Sequence, residues 1–314
     1  MTTSTPTGGP ELIKAVPARH PGRWVATAVV AVLLAMFVHM LVTNDAFQWG
    51  FMFDNAFRPA VLKGVRVTLL MTVLSMVFGV TLGILVAVMV LSSNPLLKAV
   101  GWGYTWFFRA VPRMVLLFTV GNLGVLYRTI NVGGVPFDWL LSDLTGIPLD
   151  GHLFGLDANT LFVGIPAGII GLSLSEGAYM AEIVRAGISS VDRGQNEAAA
   201  ALGMSKALAM RRIVLPQALR IIVPPTGNEA IAMLKDTSLV FVLPVTTELF
   251  FQLSAIGSRT FQPVPMYIAA CLWYLAMSSV LMVGQYFLER RFGRGFERTG
   301  ERGRPRILGG MGGA

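Results

Sequence analysis

Residues 67–91 read VTLLMTVLSMVFGVTLGILVAVMVL, a run of twenty-five residues without a charged side chain. At a rise of 1.5 Å per residue, a helix of about 20 apolar residues crosses the hydrocarbon core of a bilayer. The whole chain has the same character, with 54% hydrophobic and 13% charged residues, whereas a soluble domain carries roughly a quarter charged residues. The sequence therefore predicts an integral membrane protein of the all-α class.

Similar apolar segments along the chain predict a polytopic protein with about six transmembrane helices. The segments cover Trp24–Thr43, Ala60–Leu91, Val100–Tyr127 (interrupted at Pro112), Thr160–Val184, Ile221–Val245 and Met266–Phe287. The first segment, residues 24–43, is too long for the core of a signal peptide, so we expect it to be retained. Residues 1–23 before it are predicted to form a disordered basic tail, and residues 291–314 an Arg/Gly-rich tail.

Lys and Arg residues are distributed unevenly between the predicted loops. The stretch 185–220 contains six of them against two acidic residues, whereas 129–160 contains none and four Asp residues. Because cytoplasmic loops are enriched in Lys and Arg, the 185–220 loop and both termini are predicted to be cytoplasmic, in a multi-pass protein of the cell membrane. Arg58, Lys63 and Arg66 fall on the external side and oppose this orientation, but they are fewer.

Composition also excludes several function classes. The net charge of +8 comes from basic residues that flank apolar segments, as in membrane proteins, so nucleic acid is not an expected partner. A single cysteine, Cys271, and three scattered histidines predict no disulfide, no metal site and no cofactor. The sequence contains no nucleophile–base pair that would indicate a membrane enzyme. It also contains no inverted repeat of the kind expected in an ion-gradient-driven secondary transporter. The chain also lacks a phosphate-binding loop of the Gly-Lys-Ser/Thr type, so it is not expected to hydrolyse ATP.

The basic stretch 189–220 predicts a helix–Gly–helix elbow on the cytoplasmic face. Asp192 can cap a helix, with Gln195 completing a capping box, and the alanine-rich residues that follow favour a helix. Gly203 provides a stop that tolerates positive φ. Ser205 would cap a second helix running to Ile213, which Pro216 would close. On composition alone, an amphipathic elbow lying on the inner leaflet explains the stretch equally well.

The spacing of residues in this elbow resembles the EAA motif of ABC importer permeases. The matching positions are Gly194, Gln195, Glu197, Ala198, Ala199, Gly203, Ile213, Leu215 and Pro216. In that family the loop couples the permease to the ATP-binding subunit by seating in a cleft of that subunit. The resemblance therefore implies that residues 189–220 form an ATPase-coupling loop and that energy comes from a partner chain.

Other stretches resemble the polar amino acid branch of the same family. These are Phe108–Pro112, Gly177–Ile188 and Lys235–Leu239, and the likeness extends over residues 60–290. It implies a type I importer fold of five core helices, to which the first predicted span is an addition. The implied partners are an ATP-binding cassette subunit, a second permease chain (identical or sister) and an extracytoplasmic solute-binding protein. The implied cargo is an amino acid, although an opine or a compatible solute remains an alternative.

The sequence departs from the branch at several positions. Val111, Arg113, Asp192 and Glu176 stand where the branch usually has threonine, an apolar residue, proline and a small polar residue. The predicted external loop 128–160 is also longer than in the minimal family core. These departures affect the expected substrate rather than the class of protein.

Charged and polar residues within the predicted spans are candidates for a substrate path, because a charge at the bilayer centre costs at least about 2.5 kcal/mol and must face protein or water. The candidates are Glu176, Tyr179, Asn228, Glu229, Lys235 and Asp236. We expect Glu176 and Glu229 to meet the ammonium group of an amino acid. For Lys235 and Asp236 the alternative is structural ion pairing with neighbouring helices, and Glu182 with Arg185 is expected to form a helix-surface pair.

Overall fold

The computed structural model describes residues 21–126, 129–132, 138–146 and 154–292. The helices are α1 Pro21–Thr43, α2 Trp49–Ala56, α3 Pro59–Leu91, α4 Pro95–Ala110, α5 Arg113–Gly121, α6 Leu123–Leu126, α7 Asp138–Thr145, α8 Ala158–Leu161, α9 Gly164–Ser189, α10 Arg193–Ala201, α11 Lys206–Ala209, α12 Leu215–Asp236, α13 Leu249–Thr260 and α14 Pro263–Phe292. Two short strands, β1 Thr129–Val132 and β2 Phe154–Asp157, pair antiparallel. The fold is thus all-α, as predicted, apart from this ribbon in the loop between the predicted third and fourth spans.

The chain divides into two units, Met1–Gln48 and Trp49–Ala314. In the described part of the first unit, α1 exposes apolar side chains almost all round, as in a helix that contacts lipid. It begins at Pro21, three residues before the predicted start of the span. The rest of the predicted N-terminal tail, and the C-terminal tail after Phe292, lie outside the described residues.

Three described helices are long and apolar enough to cross a membrane: residues 22–43, 59–91 and 263–292. They correspond to the first, second and sixth predicted spans. The other three predicted spans occur as α4–α6, α9 and α12, in which apolar residues are interspersed with charged ones. A polytopic helical membrane protein is therefore confirmed, whereas the count of six spans stays a prediction.

The third predicted span is broken, as the proline indicated. Helix α4 ends at Ala110, Val111 and Pro112 are extended with ψ angles of 129° and 135°, and α5 begins at Arg113. A residue before proline is pushed out of the helical region by contact with the proline ring. The break therefore places Arg113 in the first turn of a new helix.

The fifth predicted span differs from the structure at both ends. Pro216 does not close the preceding helix, as we expected, but lies in the first turn of α12. A π-helical turn, Met210–Val214, joins α11 to α12, with the N–H of Leu215 donating to the carbonyl of Met210. Proline is tolerated there because N–H groups of a first turn need no partner within the helix. At its other end α12 stops at Asp236 and a 3₁₀ turn, Thr237–Val242, follows.

Helix α3 packs along α9 through small residues, as membrane helices do when their backbones approach closely. Gly79 and Gly83, four residues apart on α3, both face α9. A Cβ atom built on Gly83 would lie 2.4 Å from Cβ of Met180 and 3.0 Å from the backbone N of Ala181. A Cβ on Gly79 would lie 2.7 Å from Cβ of Glu176. These glycines therefore set the distance between the two helices.

Gly83→Ala is expected to lower the free energy of unfolding by about 1–3 kcal/mol, because overpacking at a close helix contact forces the backbones apart. Thermal unfolding of the purified chain in detergent measures the loss. Gly284→Ala is the matched control, because a Cβ at Gly284 on α14 meets no atom within 4 Å. An equal loss in both variants would contradict the assigned contact.

A buried carboxylate connects α3, α13 and α14. Glu248 caps the N-terminus of α13, accepting the N–H groups of Phe250 and Phe251 at 2.7 and 3.2 Å. Its other oxygen accepts the hydroxyl of Thr68 on α3 at 2.8 Å and that of Tyr274 on α14 at 2.7 Å. Glu248 is 0% exposed, and neither it nor α13 was predicted from the sequence. Glu248 thus accepts hydrogen bonds from two backbone N–H groups and two hydroxyl groups inside the helix bundle.

Candidate functional site

The predicted coupling loop forms the two helices that its sequence indicates. Oδ1 of Asp192 accepts the N–H of Gly194 at 2.7 Å and caps α10. The N–H groups of Gly203 and Met204 donate to the carbonyls of Ala200 and Ala199, each at 3.0 Å. These two bonds make a Schellman motif, which requires the φ of +74° found at Gly203. Predicted capping by Asp192, and the stop at Gly203, are both confirmed.

The short helix α11 begins at Lys206, three residues after Gly203. Oγ of Ser205 accepts the N–H of Leu208 at 3.3 Å and caps α11, as predicted. Of the motif residues on α10, Ala199 is buried whereas Gly194, Gln195, Glu197 and Ala198 are exposed. Gly203, Leu215 and Pro216 are also exposed, and Ile213 is half-buried. Most of the motif therefore forms an ordered surface rather than a core.

Apolar side chains on the coupling loop are also exposed. Leu202 is 80% exposed at the end of α10, and Leu208, Met210 and Leu215 are each exposed along the continuation. Glu197 projects on the same α10 helix and forms no ion pair with any residue that the structure describes. Exposed apolar side chains together with an unpaired carboxylate are typical of a docking site for another protein.

A second site lies between α5, α9 and α12, where three carboxylates converge on one guanidinium. Nη2 of Arg113 lies 3.1 Å from Oε2 of Glu176 and 3.9 Å from Oε2 of Glu229. Nη1 of Arg113 bonds to Oδ2 of Asp236. The site thus carries three formal negative charges against one positive charge. We call these four residues the charge cluster.

The ring of Tyr179 forms one wall of the charge cluster. The guanidinium carbon of Arg113 lies 4.8 Å from the centre of this ring, and that of Arg109 lies 5.7 Å from it. Both distances are within the range of cation–π attraction. Tyr179 is one helical turn from Glu176 on α9, so the same helix presents a carboxylate and an aromatic face to one cation.

The structure brings together four of the six residues predicted for a substrate path. Glu176, Tyr179, Glu229 and Asp236 surround Arg113, whereas Asn228 accepts a hydrogen bond at 2.7 Å from Nε2 of Gln285 on α14. Lys235 is exposed and forms no ion pair within the described ranges of the chain. Glu182 and Arg185 form the predicted pair at 2.7 Å.

Arg113 was not predicted as a site residue, although its position carried a signal. It is the only charged residue between Arg109 and Tyr127 in the predicted third span. A charge within an apolar segment must face protein or water, so the sequence indicated that Arg113 has a partner. Its partners come from residues 63, 116 and 123 positions further along the chain, and only the folded bundle identifies them.

Comparison with known proteins identifies the family. A family model described as "Binding-protein-dependent transport system inner membrane component" matches residues 79–294, more than half of the chain. The chain belongs to this family. The match begins at the glycine pair of α3 and includes the charge cluster, the coupling loop and α14.

Individual relatives of this binding-protein-dependent permease resemble it over most of its length. It is 46% identical over 297 residues to an arginine transport system permease protein of Corynebacterium glutamicum. This alignment covers 93% of this chain and 87% of the relative. A probable amino-acid ABC transporter permease protein of Bacillus subtilis is 34% identical, covering 79% of this chain and 97% of the relative.

Solved structures support the same fold. A chain from the crystal structure of an amino acid ABC transporter with histidines is 33% identical to the permease, with a TM-score of 0.59. The alignment covers 75% of the permease and 95% of that chain. The type I importer architecture implied by the coupling-loop motif is therefore confirmed.

Proposed function

We propose that this permease is the membrane-spanning subunit of an ATP-driven importer that carries amino acids across the cytoplasmic membrane. The observation that carries the proposal is the charge cluster between α5, α9 and α12, because charged groups in a membrane bundle mark the path of a charged solute. The names of the two relatives, an arginine and an amino-acid permease, support the same cargo class. A neutral or anionic solute would find little complementary charge in this cluster.

The coupling loop is the proposed contact with a separate ATP-binding cassette subunit. In this mechanism ATP closes a pair of such subunits and moves the clefts in which α10 and α11 sit. Since α9 leads into the loop and α12 leads out of it, the motion reaches both helices that hold the carboxylates of the charge cluster. ATP hydrolysis takes place on the partner, so the permease itself is not an enzyme.

Two further partners complete the proposed importer. A second permease chain, identical or a sister, would supply the other side of the path, and an extracytoplasmic solute-binding protein would deliver the amino acid. The proposed orientation places both termini and the 185–220 loop in the cytoplasm, in agreement with the distribution of Lys and Arg. Cysteine-accessibility labelling at loop positions on the two faces tests this orientation.

ATP-dependent uptake into proteoliposomes that contain the reconstituted importer tests the function. We expect uptake of at least one amino acid by the wild type, and at least a tenfold reduction in the Glu176→Gln, Glu229→Gln double variant, because the cargo ammonium loses two carboxylate partners worth about 1.4 kcal/mol or more together. The control is Glu182→Gln, which removes a carboxylate from the helix-surface pair on α9. Unchanged rate and selectivity in the double variant would contradict the role of the cluster.

A further inference from the structure

Arg113 makes contacts in the charge cluster that the side chain of a free cationic amino acid could also make. Its guanidinium contacts Glu176, Glu229 and Asp236 and lies over the ring of Tyr179. All four contacts depend on positive charge and planar shape, which the side chain of a cationic amino acid can share. With three carboxylates against one guanidinium, the site attracts cations even while Arg113 occupies it.

Glu176 retains an acceptor that Arg113 does not use. Its Oε2 atom bonds to Arg113, but its Oε1 atom accepts no hydrogen bond from any residue in the described part of the chain. Glu176 is 0% exposed, and a buried carboxylate oxygen without a donor costs about 1–3 kcal/mol. Gly79 accommodates this side chain, since a Cβ there would lie 2.7 Å from Cγ of Glu176. The packing of α3 against α9 therefore holds the Glu176 side chain, and with it the unused Oε1 atom, in place.

Arg113 lies at a break between two helices. Arg113 begins α5 directly after the extended residues Val111 and Pro112, and no side-chain hydrogen bond caps this helix. A break between two helices is where a bundle absorbs changes in φ and ψ. By contrast, Glu176 and Glu229 lie within the long helices α9 and α12. The guanidinium thus follows a break between two helices, whereas these two carboxylates lie within continuous helices.

We infer that Arg113 is a tethered guanidinium that occupies the cation-binding position of the permease, and that the cationic side chain of a transported amino acid displaces it onto the same carboxylates. This inference rests on the proposed function and adds the substrate class. Exchange of one cation for another leaves the carboxylates with a cationic partner throughout, which avoids the cost of leaving them without one. A neutral amino acid offers only its ammonium group and no planar cationic side chain for the exchange, so Arg113 acts as a residue that determines specificity for cationic side chains.

Ligand-induced stabilisation of the full-length permease in mild detergent tests the inference. L-arginine and its neutral isostere L-citrulline are titrated against the wild type and Arg113→Ala while thermal unfolding is followed. A tether provides an effective concentration in the millimolar range. We therefore expect Arg113→Ala to unfold at a lower temperature without ligand and to bind L-arginine with at least a tenfold lower apparent Kd than the wild type does, while L-citrulline, which offers only its ammonium group, binds at least tenfold more weakly than L-arginine to Arg113→Ala.

Arg185→Ala is the matched control, since it removes an arginine whose half-buried pair with Glu182 lies within α9, and it should leave the L-arginine response unchanged. Arg113→Lys provides a second test if Arg113→Ala does not fold, because lysine retains the charge but lacks the planar fork, and L-arginine should again bind more tightly than to the wild type. An unchanged or weaker response in the folded variant, or an equal response to L-citrulline, overturns the inference.

Uptake by the reconstituted wild type separates this inference from the proposed function. If the wild type imports amino acids and the Arg113 variants show no gain in L-arginine binding, the tethered-guanidinium inference is wrong and the proposed function stands. If the variants bind L-arginine more tightly than the wild type does and the wild type imports no amino acid, then Arg113 does occupy a cation-binding position but the proposed function is wrong.

Discussion

Glu197→Arg is expected to reduce ATP-driven uptake to background, by about a hundredfold or more, and to prevent an ATP-binding protein from copurifying with the tagged permease in mild detergent. Glu197 is exposed on α10, and Leu202 is exposed at the end of the same helix. Charge reversal at the centre of a docking surface places like charges or a desolvated guanidinium against the partner, which costs several kcal/mol. A loss of about 3 kcal/mol corresponds to roughly a hundredfold weaker binding.

The control for this variant is Asp143→Arg, which reverses an exposed carboxylate on α7 in the predicted external loop. It should retain both copurification and uptake. Membrane insertion and thermal stability of Glu197→Arg should equal those of the wild type, since the side chain makes no ion pair with a described residue. Retention of the ATP-binding protein by Glu197→Arg would contradict the coupling role of the loop.

Glu248→Ala is expected to lower the free energy of unfolding by about 3 kcal/mol or more. The substitution leaves the hydroxyls of Thr68 and Tyr274 and two N–H groups at the start of α13 without their acceptor. Each buried donor without a partner costs about 1–3 kcal/mol. In a bilayer core no water can replace the carboxylate. Thermal or denaturant unfolding of the purified permease measures the loss.

Glu248→Gln should give an intermediate loss in the free energy of unfolding. The amide retains one acceptor oxygen, but its NH₂ group is a donor placed next to groups that are themselves donors. Glu182→Ala is the matched control. It removes a partly exposed glutamate whose pair with Arg185 lies within a single helix, and such pairs contribute about 0–1 kcal/mol. Equal losses for Glu248→Ala and Glu182→Ala would show that Glu248 does not connect α3, α13 and α14.

Much of the local structure could be predicted because it depends on neighbouring residues. Apolar length alone indicated α1, α3 and α14, and the break at Pro112 follows from the proline ring. The coupling loop was predicted closely, since caps and a positive-φ glycine act over a few residues. The interpretation of Pro216 as the end of a helix was wrong. A π-helical turn, Met210–Val214, leads directly into α12, and Pro216 lies in the first turn of that helix.

The charge cluster could be predicted only in part. Glu176, Glu229 and Asp236 were recognisable because charges in apolar segments need partners. Arg113, the partner of all three, is distant from them in the chain, and local patterns do not encode which helices meet. Helix α13 was missed because its twelve residues, Leu249–Thr260, are too few and too polar to read as a span.

The sequence by itself determined that this protein is a helical membrane protein with a helix–Gly–helix elbow at residues 189–220, because hydrophobic length and helix capping are properties of short stretches of chain; the permease family followed from a resemblance in the same stretches. Only the tertiary structure decided that Arg113 neutralises carboxylates from α9 and α12, and that Glu248 connects three helices. Close packing at glycines supports these contacts, since Gly64 lies against the backbone of Leu249 beside Glu248 and Gly79 lies against Glu176.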